Sequence, residues 1–223
     1  MLQSNTWTSR IVIYTLITNT TWWDPSTTRV LSNRDRYCIK WGCEQYFQTK
    51  SRASHPVWQK AFDAKELVEM YDWIWLLDAT DAFIMNGDID LRVLLGNLIL
   101  EVGHEHADIV ISRDWNGFNA GSFFLRSSDW TRQVFIPRWI QDEKRDLYYR
   151  EQGSISQMWK NDEIGIRRHL VDLEYERSTL INSYYFGKVG NVRNWYQKGH
   201  FVLHAPGNRG IVKWLMENNQ TEY

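Results

Sequence analysis

Short β-favouring runs alternate with amphipathic stretches along nearly the whole chain. Arg10-Ile-Val-Ile-Tyr-Thr-Leu-Ile-Thr18 is almost continuously apolar and branched, the signature of a buried parallel strand. A loop from Asn19 to Thr28, with Trp22, Trp23 and Pro25, follows it. Val30 to Trp41 reads as a helix stopped by Gly42, and Tyr46 to Thr49 as a short strand. Pro56 to Met70 is an amphipathic helix whose apolar face carries Trp58, Phe62, Leu67 and Met70. Asp72 to Leu77 is the central strand, followed by a helix over Ile89 to Leu100. Asp108 to Ser112 and Ser122 to Arg126 are strands, separated by the polar, glycine-bearing loop Arg113 to Gly121. A helix capped by Ser127 or Ser128 runs toward Trp139, bent or restarted at Pro137. Glu151 to Trp159 is a further helix, Arg167 to Leu173 and Phe201 to His204 are late strands, and Ile211 to Asn218 is a closing helix. Strands alternating with helices predict an α/β sandwich around a mostly parallel sheet, as a single domain.

The bulk properties narrow the function more than the fold. At 223 residues the chain can bury a sizeable core, and its net charge of −1 argues against nucleic-acid binding or a polybasic membrane surface. Aromatics make up 15% of residues, with 13 Trp, a surplus that suits the flat faces of sugars as well as a core. Cys38 and Cys43 are five residues apart, on different faces of a continuous helix, which argues against a mutual disulfide. No run is long enough to span a bilayer, so either the protein is soluble or membrane attachment comes from an upstream anchor missing from this sequence. Asn19-Thr-Thr and Asn219-Gln-Thr match the glycosylation sequon, a weak pointer to secretory passage.

Chemistry concentrates where strands end. Asp78 and Asp81 follow the central strand, and carboxylates there suit a hard cation such as Mg²⁺ or Mn²⁺. With Ala79-Thr80 between them, both acids reach one ion only if those two residues turn. His204 ends another apolar strand and precedes Gly207 and Arg209 at a helix start, where backbone N–H groups and a guanidinium can seat an anion. Glu151-Gln152 opens a helix, with Glu151 either a plain first-turn acid complementing its dipole or a group near a reacting sugar carbon. His104-Glu-His106 has the look of a metal dyad, but its flanks read as a solvated helix end.

These motifs, in this order, resemble one family. They are Trp73-Ile-Trp…Asp78…Asp81-Ala-Phe-Ile-Met-Asn86, Gly117-Phe-Asn119-Ala-Gly121-Ser-Phe-Phe-Leu-Arg126-Ser-Ser-Asp-Trp130, Glu151-Gln152, Asn182-Ser-Tyr and His204-Ala-Pro-Gly207. The chain is similar to the fungal α-1,2-galactosyltransferase and mannan α-1,6-mannosyltransferase family, glycosyltransferase family 34, to which plant xyloglucan xylosyltransferases are related. The resemblance implies a GT-A fold over residues 1–223: a Rossmann-like sheet between helices, with the N-terminal half binding nucleotide sugar and metal and the C-terminal half forming the acceptor side. It further implies a retaining, Mn²⁺-dependent hexosyltransferase using UDP-galactose or GDP-mannose and a glycan acceptor, on the lumenal side of the Golgi membrane. By motif, Asp81 and His204 are metal ligands, with Asp78 on the metal or the ribose. Arg209 and Gly207 face the diphosphate, Asn119 and Gly121 shape the sugar pocket, and Glu151 and Gln152 lie beside donor sugar and acceptor. Trp115 and Trp195 would grip the acceptor. The family usually places one residue between its acids, and this chain places two. That departure motivates the alternative of a non-catalytic subunit or lectin-like scaffold of a glycosyltransferase complex. A hydrolase with a strand-end Asp nucleophile would need a later lysine and acid pair that the sequence does not offer.

Overall fold

In the computed structural model, residues 9–17, 25–79, 81–101, 103–104, 106–185, 192–207 and 209–217 are described. Strands β1 (Ile11–Leu16), β2 (Glu44–Gln48), β3 (Trp73–Leu77), β5 (Ile109–Asp114), β6 (Gly117–Arg126) and β7 (Leu170–Leu173) form one sheet in the order β2-β1-β3-β6-β5-β7. Pairing is parallel except around β6, which runs antiparallel to both β3 and β5. A second sheet, β4 (Ala82–Ile84), β9 (Val202–His204) and β8 (Ser183–Tyr184), stands beside the end of β3.

The period-two alternation of strand side chains divides the interior into two cores. Val12, Tyr14, Ile74, Leu76, Phe123 and Leu125 face one side. Helices α2 (Gln59–Leu67), α4 (Ile136–Gln141) and α5 (Arg150–Asn161) cover that face with Ala61, Leu67, Trp139, Ile155 and Met158. Ile11, Ile13, Trp73, Trp75, Leu77 and Phe124 face the other side. There they meet Tyr37 of α1 (Pro25–Trp41), Leu91, Leu95 and Leu98 of α3 (Leu91–Ile99), and Phe201 and Val202. Helix α6 (Arg209–Glu217) closes the described chain. Much of the aromatic surplus is core: Trp58, Trp73, Trp75 and Trp139 are all fully buried.

Three sequence expectations change. The supposed loop Arg113 to Gly121 is instead mostly strand, because β5 runs to Asp114 and β6 begins at Gly117, leaving Trp115-Asn116 as a two-residue turn. Gly117 supplies the positive φ of 109° that this turn needs. The register then slips: Ile111 faces Phe123 but Ser112 faces Asn119, so Ala120-Gly121-Ser122 bulge out of the β5 pairing. The helix restarts around Pro137 as expected, with the proline in the first turn of α4. A π-turn over Thr131–Phe135 precedes α4 and makes room for the ring and its missing N–H. Met70, expected on the buried face, lies past the end of α2 and is 46% exposed.

The cysteine expectation is also overturned, since Cys38 and Cys43 form a disulfide with their Cα atoms 4.4 Å apart. The helix does not continue to Cys43. Gly42, at φ 66°, reverses the chain, and the amides of Gly42 and Cys43 both return to the Cys38 carbonyl, at 2.7 and 3.2 Å. This C-terminal cap folds Cys43 back over its partner.

Candidate metal and donor site

Asp78, Asp81 and His204 come together at the carboxyl end of β3, where open α/β sheets hold their ligands. Each offers one ligand atom within 4.8 Å of the other two. The small sheet explains how residues so distant in sequence meet. Antiparallel pairing sets Ala82 opposite His204, so Asp81 lies across from Ala205, whose amide donates to the Asp81 carbonyl at 2.8 Å. The Gly207 amide, at φ 66°, donates to Asp81 Oδ2 at 3.2 Å. Asp78 is tied to the large sheet, its amide donating to the Gly121 carbonyl at 2.8 Å. The two-residue spacing therefore does not separate the acids. Thr80 itself lies outside the described residues.

The state of His204 follows from its neighbours. Asn182 Nδ2 donates among Ser112 Oγ, Asn119 Oδ1 and Tyr184 Oη at 3.0 to 3.1 Å, so its Oδ1 is the acceptor that faces His204 Nδ1 at 3.0 Å. The proton thus belongs on Nδ1, and Nε2 carries a lone pair. That Nε2 is buried, has no hydrogen-bond partner, and points at Asp78 Oδ2 and Asp81 Oδ1, each 3.8 Å away. A lone pair facing two carboxylates is repulsive unless a cation lies among them. Two carboxylate oxygens and a neutral imidazole, oriented by an amide behind it, form a donor set that fits Mn²⁺.

Gly121 makes room for this ring. A Cβ there would overlap His204 Cε1 and come within 2.8 Å of Nε2 and 2.9 Å of Asn119 Oδ1. Asn119 Oδ1 also accepts from the Gly121 amide at 2.9 Å, while its Nδ2 donates to Asp114 at 2.8 Å. Asn119 and Gly121 therefore stand under the imidazole.

Glu151 and Gln152 arrive from the first turn of α5, where Arg150 adopts φ 45°, a strained value for a side-chain-bearing residue. Gln152 Oε1 accepts from the Ala120 amide at 2.8 Å, which locks the helix start to the β6 bulge. The buried Glu151 carboxylate lies 3.6 Å from Lys60 Nζ, and burial pushes its carboxyl up despite that ammonium. Burial would also raise Asp78, but the Lys60 ammonium beside it holds it below the usual range; Asp81, with burial foremost, is raised.

Three contributors carried no role in the sequence reading. Lys60 donates to Asp78 Oδ1 at 2.7 Å and to the Ala120 carbonyl at 3.1 Å. Arg34 of α1 is fully buried and donates to the carbonyls of Leu77 and Ala82, each at 3.2 Å, and to the Asp78 carbonyl and Thr15 hydroxyl, pinning both ends of the acid turn. Asn182 orients His204. A signal was present for the first two. Lys60 stands in line with Ala64 and Leu67, and Arg34 with Val30, Tyr37 and Cys38, so each is a cation inside an apolar helical stripe.

The Arg209 side chain lies outside what is described, although Arg209 opens α6. Trp115 stands 70% exposed at the β5–β6 turn, beside Asn116, whose Oδ1 accepts from Tyr149 Oη at 2.7 Å. Trp195 bridges Tyr184 and is half-buried. His104 Nδ1 is engaged by the Leu98 carbonyl at 2.8 Å, and His106 lies beside His169, so neither joins the metal group.

A sheet with one reversed strand and an acid–histidine cluster at its carboxyl edge is the GT-A architecture of glycosyltransferases. A glycosyltransferase involved in glycosylation of the major capsid of PBCV-1 shares the fold at TM-score 0.70 and 13% identity, over 94% of this chain and 99% of that one. The chain belongs to the galactosyl transferase GMA12/MNN10 family, which it matches over residues 8–209. Two uncharacterised α-1,2-galactosyltransferases of Schizosaccharomyces pombe are similar to it. One is 25% identical over 58% of this chain and 48% of its own length, and the other 28% identical over 44% and 32%. The chain thus spans about half or less of these curated relatives.

Proposed function

We propose that this chain is a retaining hexosyltransferase that moves galactose or mannose from UDP-galactose or GDP-mannose to a glycan acceptor, with Mn²⁺ as cofactor. The observation that carries the reading is the buried, unpartnered His204 Nε2 aimed between Asp78 and Asp81. In it the chain acts as one catalytic domain. The N-terminal half supplies Asp78, Asp81, Asn119 and Gly121 to donor and metal, and the C-terminal half supplies His204, Gly207 and Arg209 and the acceptor side.

In the reaction, the bond from the anomeric carbon to the diphosphate oxygen breaks, a bond to the acceptor oxygen forms on the face the diphosphate leaves, and the acceptor hydroxyl's proton passes to the departing diphosphate. Asp78, Asp81 and His204 would hold the cation, which would neutralise charge on the departing diphosphate. Backbone N–H groups at the start of α6 and the Arg209 guanidinium seat the phosphates. Glu151 is the carboxylate assigned to the anomeric carbon as positive charge develops there, and Gln152 shares that wall through its bond to Ala120. The acceptor lies over Trp115 and the neighbouring Tyr149, with Trp195 on the other flank, where ring faces cover the apolar faces of pyranoses. The family and the Cys38–Cys43 disulfide favour an oxidising compartment, the Golgi lumen, as its place of work. Among the described residues no helix is long and apolar enough to cross a membrane.

The test is transfer from each nucleotide sugar to oligomannose and galactosylated acceptors, with and without Mn²⁺. Asp81→Ala and His204→Ala should each lose transfer by at least about a hundredfold while keeping a cooperative melt, because losing a ligand should cost at least as much as losing an outer partner. Full activity of both variants in metal-free buffer would end the reading.

A further inference from the structure

Lys60 stands where the cation side of the site meets the sugar side, and its surroundings define what it can do. It rises from α2, 7% exposed, and its ammonium reaches three elements at once. Asp78 Oδ1 after β3 is 2.7 Å away, the Ala120 carbonyl in the β6 bulge 3.1 Å, and Glu151 Oε1 at the start of α5 3.6 Å. Asp78 and Ala120 take two of the ammonium's three N–H donors, and the third side faces Glu151 as an ion pair. The two oxygens of Asp78 are thereby distinguished: Oδ1 belongs to Lys60, and Oδ2 faces His204 Nε2 at 3.8 Å.

We propose that Lys60 is a positioning residue: it holds one oxygen of Asp78 so that the other is presented to the cation, and it ties Glu151 into register with that pair. This rests on the metal-dependent transferase reading above. The physical need is plain. Asp78, Asp81 and Glu151 bring three carboxylates into one partly buried cluster, and a buried carboxylate without a counter-charge swings toward water. With Lys60 in place, Asp78 is fixed before any cation arrives. A guanidinium cannot stand in fully, because its planar fork does not reproduce three contacts around a point charge.

The experiment measures Mn²⁺ affinity of donor-free protein by the electron paramagnetic resonance of free Mn²⁺, alongside kcat and donor KM. Wild type, Lys60→Met and Lys60→Arg are compared, each with a thermal melt. Lys60→Met should weaken Mn²⁺ binding about 10- to 100-fold, the usual loss when the partner of a metal ligand is removed. Donor KM should rise with it, and Lys60→Arg should recover part of both. A merely structural lysine would lower the folded fraction but leave the Mn²⁺ dissociation constant of that fraction unchanged, and that result overturns the proposal. Should Lys60→Met fail to fold, the charge-balanced Lys60→Met/Glu151→Gln protein replaces it, and unchanged Mn²⁺ affinity there overturns the proposal equally. Wild-type transfer with unaltered Mn²⁺ affinity in the variants would sink the role of Lys60 alone. A wild type that neither binds Mn²⁺ nor turns over would sink both readings.

Discussion

The two edges of the large sheet each carry an aspartate–histidine pairing, built to opposite ends. At the carboxyl edge of β3, His204 Nε2 stops 3.8 Å short of both Asp78 and Asp81 and has no hydrogen-bond partner. At the far edge, where β5 and β7 begin and β6 ends, His169 Nδ1 meets Asp108 Oδ2 at 2.7 Å. There the His169 ring also lies flat on Trp130, with centroids 4.0 Å apart and planes 4° apart. That second pair is closed, each group already answered by the other, and it joins the start of β7 to the helix after β6. The first is open: the groups behind it are bonded through Asn182, Asn119 and Lys60, while Nε2 and the two carboxylates face one another without contact. Atoms that converge without touching suit a shared cation, whereas direct contact makes a strut.

The largest expected contrast between the edges is in transfer. His169→Ala should keep transfer within about twofold of wild type, against the loss of at least about a hundredfold expected for His204→Ala. Equal losses in both would erase the distinction between open and closed pairs.

Asp142 extends the closed class and gives it a sign in pH. Its carboxylate is buried under Arg138 and Arg145, at 2.5 and 2.9 Å, and the Ser154 hydroxyl at 2.7 Å. Burial alone would push it up, but the Ser154 hydroxyl and the two guanidinium groups hold it below the usual range. A group depressed in the folded state stabilises above its unfolded pKa, about 4, and loses that contribution as pH falls through the folded value. Asp142→Asn should cost about 3 kcal/mol in urea unfolding at pH 7, and the gap to wild type should close in acid. A gap unchanged from pH 7 to pH 2 would contradict the assignment.

Cation binding separates the two edges next. At a free Mn²⁺ concentration a hundred times its dissociation constant, wild type should gain about 2.7 kcal/mol of stability, a rise of roughly 5–10 °C in the melt. The same gain is expected of His169→Ala and none of His204→Ala. A shift in the His204 variant equal to that of wild type would move the cation elsewhere. The smallest effect is the strut itself. His169→Ala should lower stability by about 1 kcal/mol, the worth of one hydrogen bond and a ring contact.

What could be read in advance follows from the range of the interactions involved. Ile11–Leu16 and Trp73–Leu77 were legible because a strand buried on both faces must be apolar at every position. Asp78 and His204 were legible because polar groups at the ends of such strands break that rule visibly. Glycine-bearing Arg113 to Gly121 read as a loop because polarity and glycine mark loops and bulges alike, and only pairing with β3 and β5 tells them apart. The cysteine pair was missed for a similar reason: helix geometry was carried one residue beyond the reversal at Gly42.

By itself the sequence determined the alternation of strands and helices, the placing of acids and a histidine at strand ends, and a family likeness carried by several motifs in order. Periodicity and strand-end chemistry are local, so neighbouring residues suffice to express them. Tertiary structure alone decided that Ala82 pairs with His204, that Lys60 bridges Asp78 and Glu151, and that Asn182 sets which His204 nitrogen bears the proton. Those contacts join residues from 18 to 122 positions apart, from Lys60–Asp78 to Ala82–His204. Their chemistry exists only once burial removes water as the competing partner and leaves each polar group to be answered by another part of the chain.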